Sequence, residues 1–202
     1  MENLKLFGQW DVEGIEVNDI GLKPYVNLTP VHVPISQGKN IKKRFWKSKK
    51  PIVERLMNRL LVAGHKGKKH WRSSGQNTGK KQLAYNIIKN AFTIIENKTK
   101  KNPIKVLVDA LEFGTPREGI ATIEYGGVKY PKAIDVSPQR RIDLALRWIT
   151  QGAFAASASA KTKKSISQTI AEEIIAASNN DATNSTAVKK KIDLERQAQA
   201  SR

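Results

Sequence analysis

Tyr-Gly-Gly-Val-Lys-Tyr-Pro-Lys-Ala-Ile-Asp-Val-Ser-Pro-Gln-Arg-Arg-Ile-Asp-Leu-Ala-Leu-Arg-Trp, residues 125–148, decides the architecture of this chain. Gly126-Gly127 is a two-residue turn that accepts positive φ at both positions, and the flanking residues alternate with a period of two. The register this turn imposes sets Tyr125 opposite Val128, Glu124 opposite Lys129 and Ile123 opposite Tyr130. Ile123, Tyr125, Val128 and Tyr130 then share one face, and an opposite-charge pair lies on the other. Pro131 cannot donate to a ladder, so the ribbon is an edge or a free-standing arm. An isolated hairpin is marginal in water, so it needs a partner or a base on helices. Ser137-Pro138 follows as N-cap and first helical residue of a helix with Ile142, Ala145, Leu146 and Ile149 on its core face. Arg140 and Arg141 stand in its first turn, and Arg147 lies two turns beyond Arg140. A basic ribbon running into an Arg-tipped helix suits a nucleic acid better than a small substrate.

Outward from this stretch the helical period dominates. Residues 51–63 place Val53, Leu56, Met57, Leu60 and Leu61 on one face, with Pro51 at the first helical position and Gly64 as a stop. Leu83, Ile87, Ile88, Ala91, Ile94 and Ile95 recur at helical spacing. Asn102-Pro103 opens another helix, with Ile104, Leu107, Val108 and Leu111 inward and Gly114 at its end. Ser165 with Gln168 is a capping box ahead of Ile166, Ile170, Ile174 and Ala177. Residues 179–186 read as a polar linker, and the basic tail 187–202 has only Val188, Ile192 and Leu194 as large apolar residues, so order only on binding is expected there. Residues 1–50 show no sustained period, and Pro24, Pro30 and Pro34 break any long helix. The expected fold is mainly α: about six helices in a bundle with one protruding β-hairpin at about 120–136. Residues 1–50 form an irregular basic extension over other surfaces, and 51–202 form the helical domain.

The charge is concentrated. The 202 residues carry 36 Lys/Arg against 18 Asp/Glu, a formal net charge of +18. Between positions 39 and 81 stand 15 Lys/Arg and a single acid, Glu54, so that window holds +14 of the total. Such a block repels itself unless something anionic lies against it, which favours a polyanion partner over a merely solvated surface. A membrane is the poorer polyanion: no apolar run approaches the ~20 residues needed to span, and the basic run 39–50 has only Ile41, Phe45 and Trp46 to insert. With no cysteine there is neither a disulfide framework nor a thiolate metal site. A cytoplasmic setting is expected.

No catalytic set assembles from the residues. His32, His65 and His70 lack the cysteines or nearby acids of a zinc site, so no metal and no cofactor is expected. Gly75-Gln76-Asn77-Thr78-Gly79-Lys80-Lys81 departs from a phosphate loop: its glycine spacing is one residue short and Lys81 replaces the magnesium-holding hydroxyl. Asp109 with Glu112, and Glu172 with Glu173, read as solvated helix-surface acids. What the sequence does offer is phosphate neutralisation by Lys42, Lys43, Arg44, Lys47, Lys66, Lys68, Lys69, Arg72, Lys80 and Lys81. Trp46 and Trp71 are interleaved with these and can either stack on unpaired bases or cap the bundle. Arg140 and Arg141 at a helix start point positive charge at a phosphate, unless they pair internally with Asp135 or Asp143. Charge set in loops and an irregular extension suits folded RNA, read by shape, more than a symmetric DNA site.

Several motifs together resemble the small-subunit ribosomal protein seven family. They are Gly79-Lys80-Lys81-x-x-Ala84-Tyr85-x-Ile87, Asn102-Pro103-x-x-Val106-Leu107, Gly126-Gly127-x-x-Tyr130, Val136-x-Pro138-x-Arg140-Arg141-x-x-x-Ala145-x-Arg147-Trp148 and Ala187-Val188-Lys189-Lys190-Lys191. Lys5-Leu6-Phe7-Gly8-x-Trp10 and the ending Glu195-Arg196…Ser201-Arg202 are similar to its archaeal and eukaryotic cytosolic branch. The resemblance implies a non-enzymatic ribosomal protein bound to the 3′ major (head) domain of small-subunit rRNA, aiding head assembly beside neighbouring head and platform proteins. It carries rRNA contact onto Lys80, Lys81, Arg140, Arg141, Lys189, Lys190 and Lys191. It also places the hairpin, with Tyr125, Gly126, Gly127, Val128, Lys129, Tyr130 and Lys132, near exit-site tRNA and mRNA. The alternatives are an RNA-binding regulator or chaperone acting off the ribosome, and an RNA-modifying or RNA-cleaving enzyme, against which the missing catalytic constellation counts.

Overall fold

The computed structural model describes residues 4–40, 42–66, 69–70, 75–159 and 164–202, with the backbone alone at 65, 66, 69 and 70. Among these residues six α-helices and a two-stranded antiparallel hairpin dominate. Helix α1 spans Ile52–Leu60, followed by a short antiparallel pair, β1 (His65–Lys66) and β2 (Lys69–His70), which the sequence had not suggested. Then come α2 (Lys81–Thr99), α3 (Pro103–Gly114), β3 (Glu118–Tyr125), β4 (Val128–Asp135), α4 (Pro138–Ser157), α5 (Ile166–Ser178) and α6 (Thr186–Ala200).

The central helix is α5, which packs on α2, α3 and α4. Its Ile170, Ala171, Ile174 and Ala177 are buried, as the apolar spacing after the Ser165–Gln168 capping box requires, and both bonds of that box are present. Asn102 accepts from the Ile104 N–H to start α3. Pro51 is the N-cap of α1 rather than its first helical residue. Ser137 occupies the N-cap of α4 without a side-chain bond, and Pro138 fixes a helical φ at the first position.

Among the described residues of 4–50 the regular structure is limited to 3-10 turns at Lys23–Tyr25 and Trp46–Lys49 and isolated bridges, yet the segment enters the core. Leu6, Phe7, Trp10, Val12, Val17, Leu22 and Val26 are buried with the helix residues. Phe7 meets Tyr85 and Phe92 edge-on at ring distances of 4.8 and 6.0 Å, and the Trp10 indole donates to Glu96 at 3.0 Å. The segment is a strap whose side chains reach inward one at a time, which leaves no period in the sequence.

The hairpin has the expected register, with Tyr125 opposite Val128, Glu124 opposite Lys129 and Ile123 opposite Tyr130. Gly126 and Gly127 have φ of 56° and 81°, the two positive values a type I′ turn needs. Its outer face stands free, with Tyr125 80% exposed. Its base is braced by α6: Glu195 accepts from the Arg117 N–H at 2.9 Å, and Arg202 pairs with Glu118.

The tail departs from expectation most. It is a helix, α6, laid against β3 and α4, with Ala187, Val188 and Ala198 fully buried. The reason is Glu173, which is buried rather than solvated: its Oε1 accepts from the Ser185 hydroxyl at 3.0 Å and the Ala187 N–H at 3.1 Å. A carboxylate on α5 therefore caps the N-terminus of α6, where the helix dipole favours negative charge. Burial pushes the Glu173 carboxyl above its ordinary value despite these hydrogen bonds. Gly152 on α4 admits the approach, since a Cβ there would lie 2.5 Å from Thr186 Oγ1 and 2.7 Å from its Cβ. Alanine ordinarily stabilises a helix interior over glycine by about 1 kcal/mol. Gly152→Ala is instead expected to lower unfolding free energy by roughly 1–3 kcal/mol in urea denaturation, because the overpacked α4–α6 contact must open. A gain in stability would show that α6 does not dock this closely.

Candidate nucleic-acid interface

The basic window folds into a cleft of about 650 Å³ between the strap, α1 and the start of α4. Lys42, Lys43, Arg44, Lys47, Lys50, Arg55 and Arg59 line it, with Asp143 as its one acid. Lys42, Lys43 and Arg44 are exposed, while Arg55 is buried. Asp143 gathers three of these cations. Lys47 Nζ donates to it at 2.5 Å, and Arg55 and Arg59 approach its other oxygen at 3.2 and 3.4 Å. Burial would raise the Asp143 carboxyl, but Lys47, Arg55 and Arg59 outweigh it and hold the pKa below the ordinary carboxylate value. Arg55 also donates to the Tyr25 carbonyl at 3.0 Å, which fixes the strap to α1. Glu54, the lone acid of the window, is buried beneath it and takes the Ser36 hydroxyl at 2.8 Å and Lys81 Nζ at 3.8 Å.

The other predicted cations divide by exposure. Lys80, at the N-cap of α2, and Arg140, on the first turn of α4, are open to solvent. Arg141 is not: it is 8% exposed and donates to Asp19 at 2.7 Å, to the Pro116 carbonyl at 3.1 Å and to Thr115 Oγ1 at 3.4 Å. Its internal partner is thus Asp19 from the strap, while Asp143 serves the cleft and Asp135 neither. On α6 Lys189 is exposed, but Lys190 donates to Gln151 at 3.4 Å and Lys191 to the Phe113 carbonyl at 3.0 Å, and burial lowers the pKa of both. Lys68, Trp71 and Arg72, and the side chains of Lys66 and Lys69, lie outside the described residues. No cluster of three or more His, Asp or Glu able to hold a metal occurs among the described residues.

Comparison with known proteins adds the lineage. A family described as "Ribosomal protein S7p/S5e" matches residues 32–202. The chain belongs to this S7p/S5e family. It is 52% identical over 199 residues to the small ribosomal subunit protein uS7 of Nanoarchaeum equitans, covering 98% of this chain and 99% of that one. Identity to uS7 of Methanococcus maripaludis (strain C6) is 48% over 98% of this chain and 99% of that protein. For uS7 of Archaeoglobus fulgidus it is 47% over 100% and 96%. These relatives are archaeal, in keeping with the branch that the two ends of the chain resemble, and the family is structural rather than enzymatic.

Sequence reasoning about this S7p/S5e chain missed Lys50, Arg55, Arg59 and Asp143 as cleft residues. Arg55 and Arg59 stand four apart on α1 with no acid beside them on that face, a signal available in the sequence. Asp143 carried no such signal, because its role depends on α4 lying across the strap. Asp143→Asn is expected to cost about 2–4 kcal/mol at neutral pH, since it leaves Arg55 buried without its carboxylate. A carboxyl with a depressed folded pKa stabilises above its unfolded value of about 4 and loses that contribution as pH falls through the folded value. The stability gap between wild type and Asp143→Asn, followed by urea denaturation from pH 7 to pH 2.5, should therefore close on the acid side. A gap independent of pH would show that the ionised carboxylate is not what holds the cleft.

Proposed function

We propose that this protein is a non-catalytic structural constituent of the small ribosomal subunit that binds the 3′ major domain of its rRNA. Family membership and the whole-length likeness to archaeal uS7 proteins support the ribosomal assignment. The observation that carries RNA binding is the cleft, where seven cations surround one carboxylate that is already paired. Exposed Lys42, Lys43 and Arg44 leave an excess of positive charge that a polyanion would neutralise by displacing their counterions. Lys80, Arg140 and Lys189 extend the contact as open charges, whereas Arg141, Lys190 and Lys191 act by shaping the protein surface. The work is done in the cytoplasm, on the ribosome, beside neighbouring head and platform proteins. No helix among the described residues is long and apolar enough to cross a membrane.

The hairpin completes this reading. It projects a free apolar and aromatic face from a braced base, which suits a reach toward exit-site tRNA and departing mRNA. Replacement of Lys42, Lys43 and Arg44 by alanine should flatten the plot of log Kobs against log salt for head-domain RNA by about 0.7–0.9 per lost phosphate contact. An unchanged slope in filter binding takes the cleft out of the interface. Deletion of residues 126–130 should leave the helical far-UV CD signal intact while changing exit-site tRNA occupancy on reconstituted subunits. Loss of the helical signal would instead make the ribbon part of the core.

A further inference from the structure

The 3-10 turn Trp46–Lys49 is a partition between two grooves. Lys47 and Lys50 face the cationic cleft on one side. Phe45, Trp46, Ser48 and Lys49 face a second groove of about 620 Å³, whose far wall includes Pro24, Asn27 and Leu28. This second groove presents Phe45 and Trp46, and Phe45 is 62% exposed with the Arg44 guanidinium over its ring. Cations flank both rings, with the Arg44 guanidinium 5.6 Å from the Phe45 centroid and Lys43 and Lys49 at 5.3 and 5.0 Å from Trp46. A flat apolar ring set beside a phosphate-binding surface is what an unpaired nucleotide needs, because its base exposes a π-face that a paired base buries.

The polar groups of this groove are already committed within the protein. Asn27 Nδ2 donates to the Lys49 carbonyl, and Asn27 Oδ1 accepts from the Thr29 N–H at 2.8 Å and the Thr29 hydroxyl at 2.5 Å. The Ser48 hydroxyl donates to the Phe45 carbonyl at 2.6 Å. These internal bonds take up much of the polar capacity of Asn27 and Ser48, so recognition of a base rests on its face more than on its identity.

We propose that the Phe45–Trp46 groove takes the base of an unpaired RNA nucleotide whose neighbouring phosphates lie in the cationic cleft. This rests on the RNA-binding reading above and adds to it a single-stranded feature and the ring that holds it. The test uses the full chain, as wild type, Phe45→Ala and Phe45→Trp. The probes are head-domain rRNA, a single-stranded adenine oligonucleotide with one 2-aminopurine, and a blunt duplex of equal length. Phe45→Ala should bind the head-domain RNA and the single strand about ten- to hundredfold more weakly. Duplex binding and the salt slope should stay unchanged, Phe45→Trp should restore affinity, and 2-aminopurine quenching should vanish in the alanine variant. Equal weakening for duplex and single strand, a flattened salt slope, or wild-type affinity in Phe45→Ala would each overturn the stacking site. The variant lacking Lys42, Lys43 and Arg44 separates the two readings. If it flattens the slope while Phe45→Ala binds normally, only the stacking site falls; if wild type shows no preference for head-domain RNA, the RNA-binding reading falls with it.

Discussion

The Asp143 carboxylate is the point on which the basic half of the molecule turns. Lys47 comes to it from the strap, Arg55 and Arg59 from α1, and Asp143 itself belongs to α4. Without it three cations would face one another across a few ångströms, and one of them, Arg55, is buried. A buried pair of this sort adds little over an apolar packing, but losing one partner is costly because the other charge is stranded. Two residues earlier on α4, Arg141 does the converse and holds Asp19 of the strap. The first turn and a half of α4 therefore fixes the strap at two places through charges of opposite sign, and this keeps an aperiodic segment in one conformation.

That arrangement divides the cations into two kinds. Arg55, Arg59, Arg141, Lys190 and Lys191 are oriented by protein groups, so their positions are set before any ligand arrives. Lys42, Lys43, Arg44, Lys80, Arg140 and Lys189 lie open. On the proposed reading, the open set supplies charge that a polyanion neutralises with release of counterions, a term that depends on salt and not on sequence. The fixed set supplies shape. A folded RNA surface of irregular phosphate spacing is discriminated by a protein whose cleft has one geometry, and the internal carboxylates give the cleft that geometry.

What the sequence revealed follows the physics of periodicity. The hairpin register was legible to the residue because a two-residue Gly126-Gly127 loop fixes which residues face each other, and the pattern next to the turn alternates. The core faces of α1, α3, α4 and α5 were legible because helical spacing repeats over several turns, whereas on α2 Leu83 is exposed and Ala84 and Phe92 are buried instead. The strap was not, since Leu6, Phe7, Trp10 and Val12 reach the core from irregular backbone. The docking of α6 was not legible either: Ala187 and Val188 are a small apolar surface, and what secures them is Glu173 on another helix together with the space left by Gly152. Within the site, the exposed lysines of the strap were visible as a charge run, whereas Arg141 and Asp143 differ in role only because of which element each faces. Interactions between elements distant in sequence leave no local trace.

The hairpin shows how such distant interactions shape the reach of the protein. Two strands alone are marginal, and this ribbon buries almost none of its own outer face. Its orientation depends on Glu195 holding the Arg117 N–H, on Arg202 pairing with Glu118, and on Val136 packed so close to Gly119 that a Cβ there would sit 2.9 Å from it. An exposed ion pair such as Arg202–Glu118 contributes about 0–1 kcal/mol and weakens with salt, so it aims the ribbon without locking it. The tight Gly119–Val136 contact sits at the base, where it sets the point of emergence. The tip at Gly126, seven residues beyond Gly119, makes no contact of this kind. Packing contacts with the helical body therefore concentrate at the base of the ribbon and fall away toward its exposed tip.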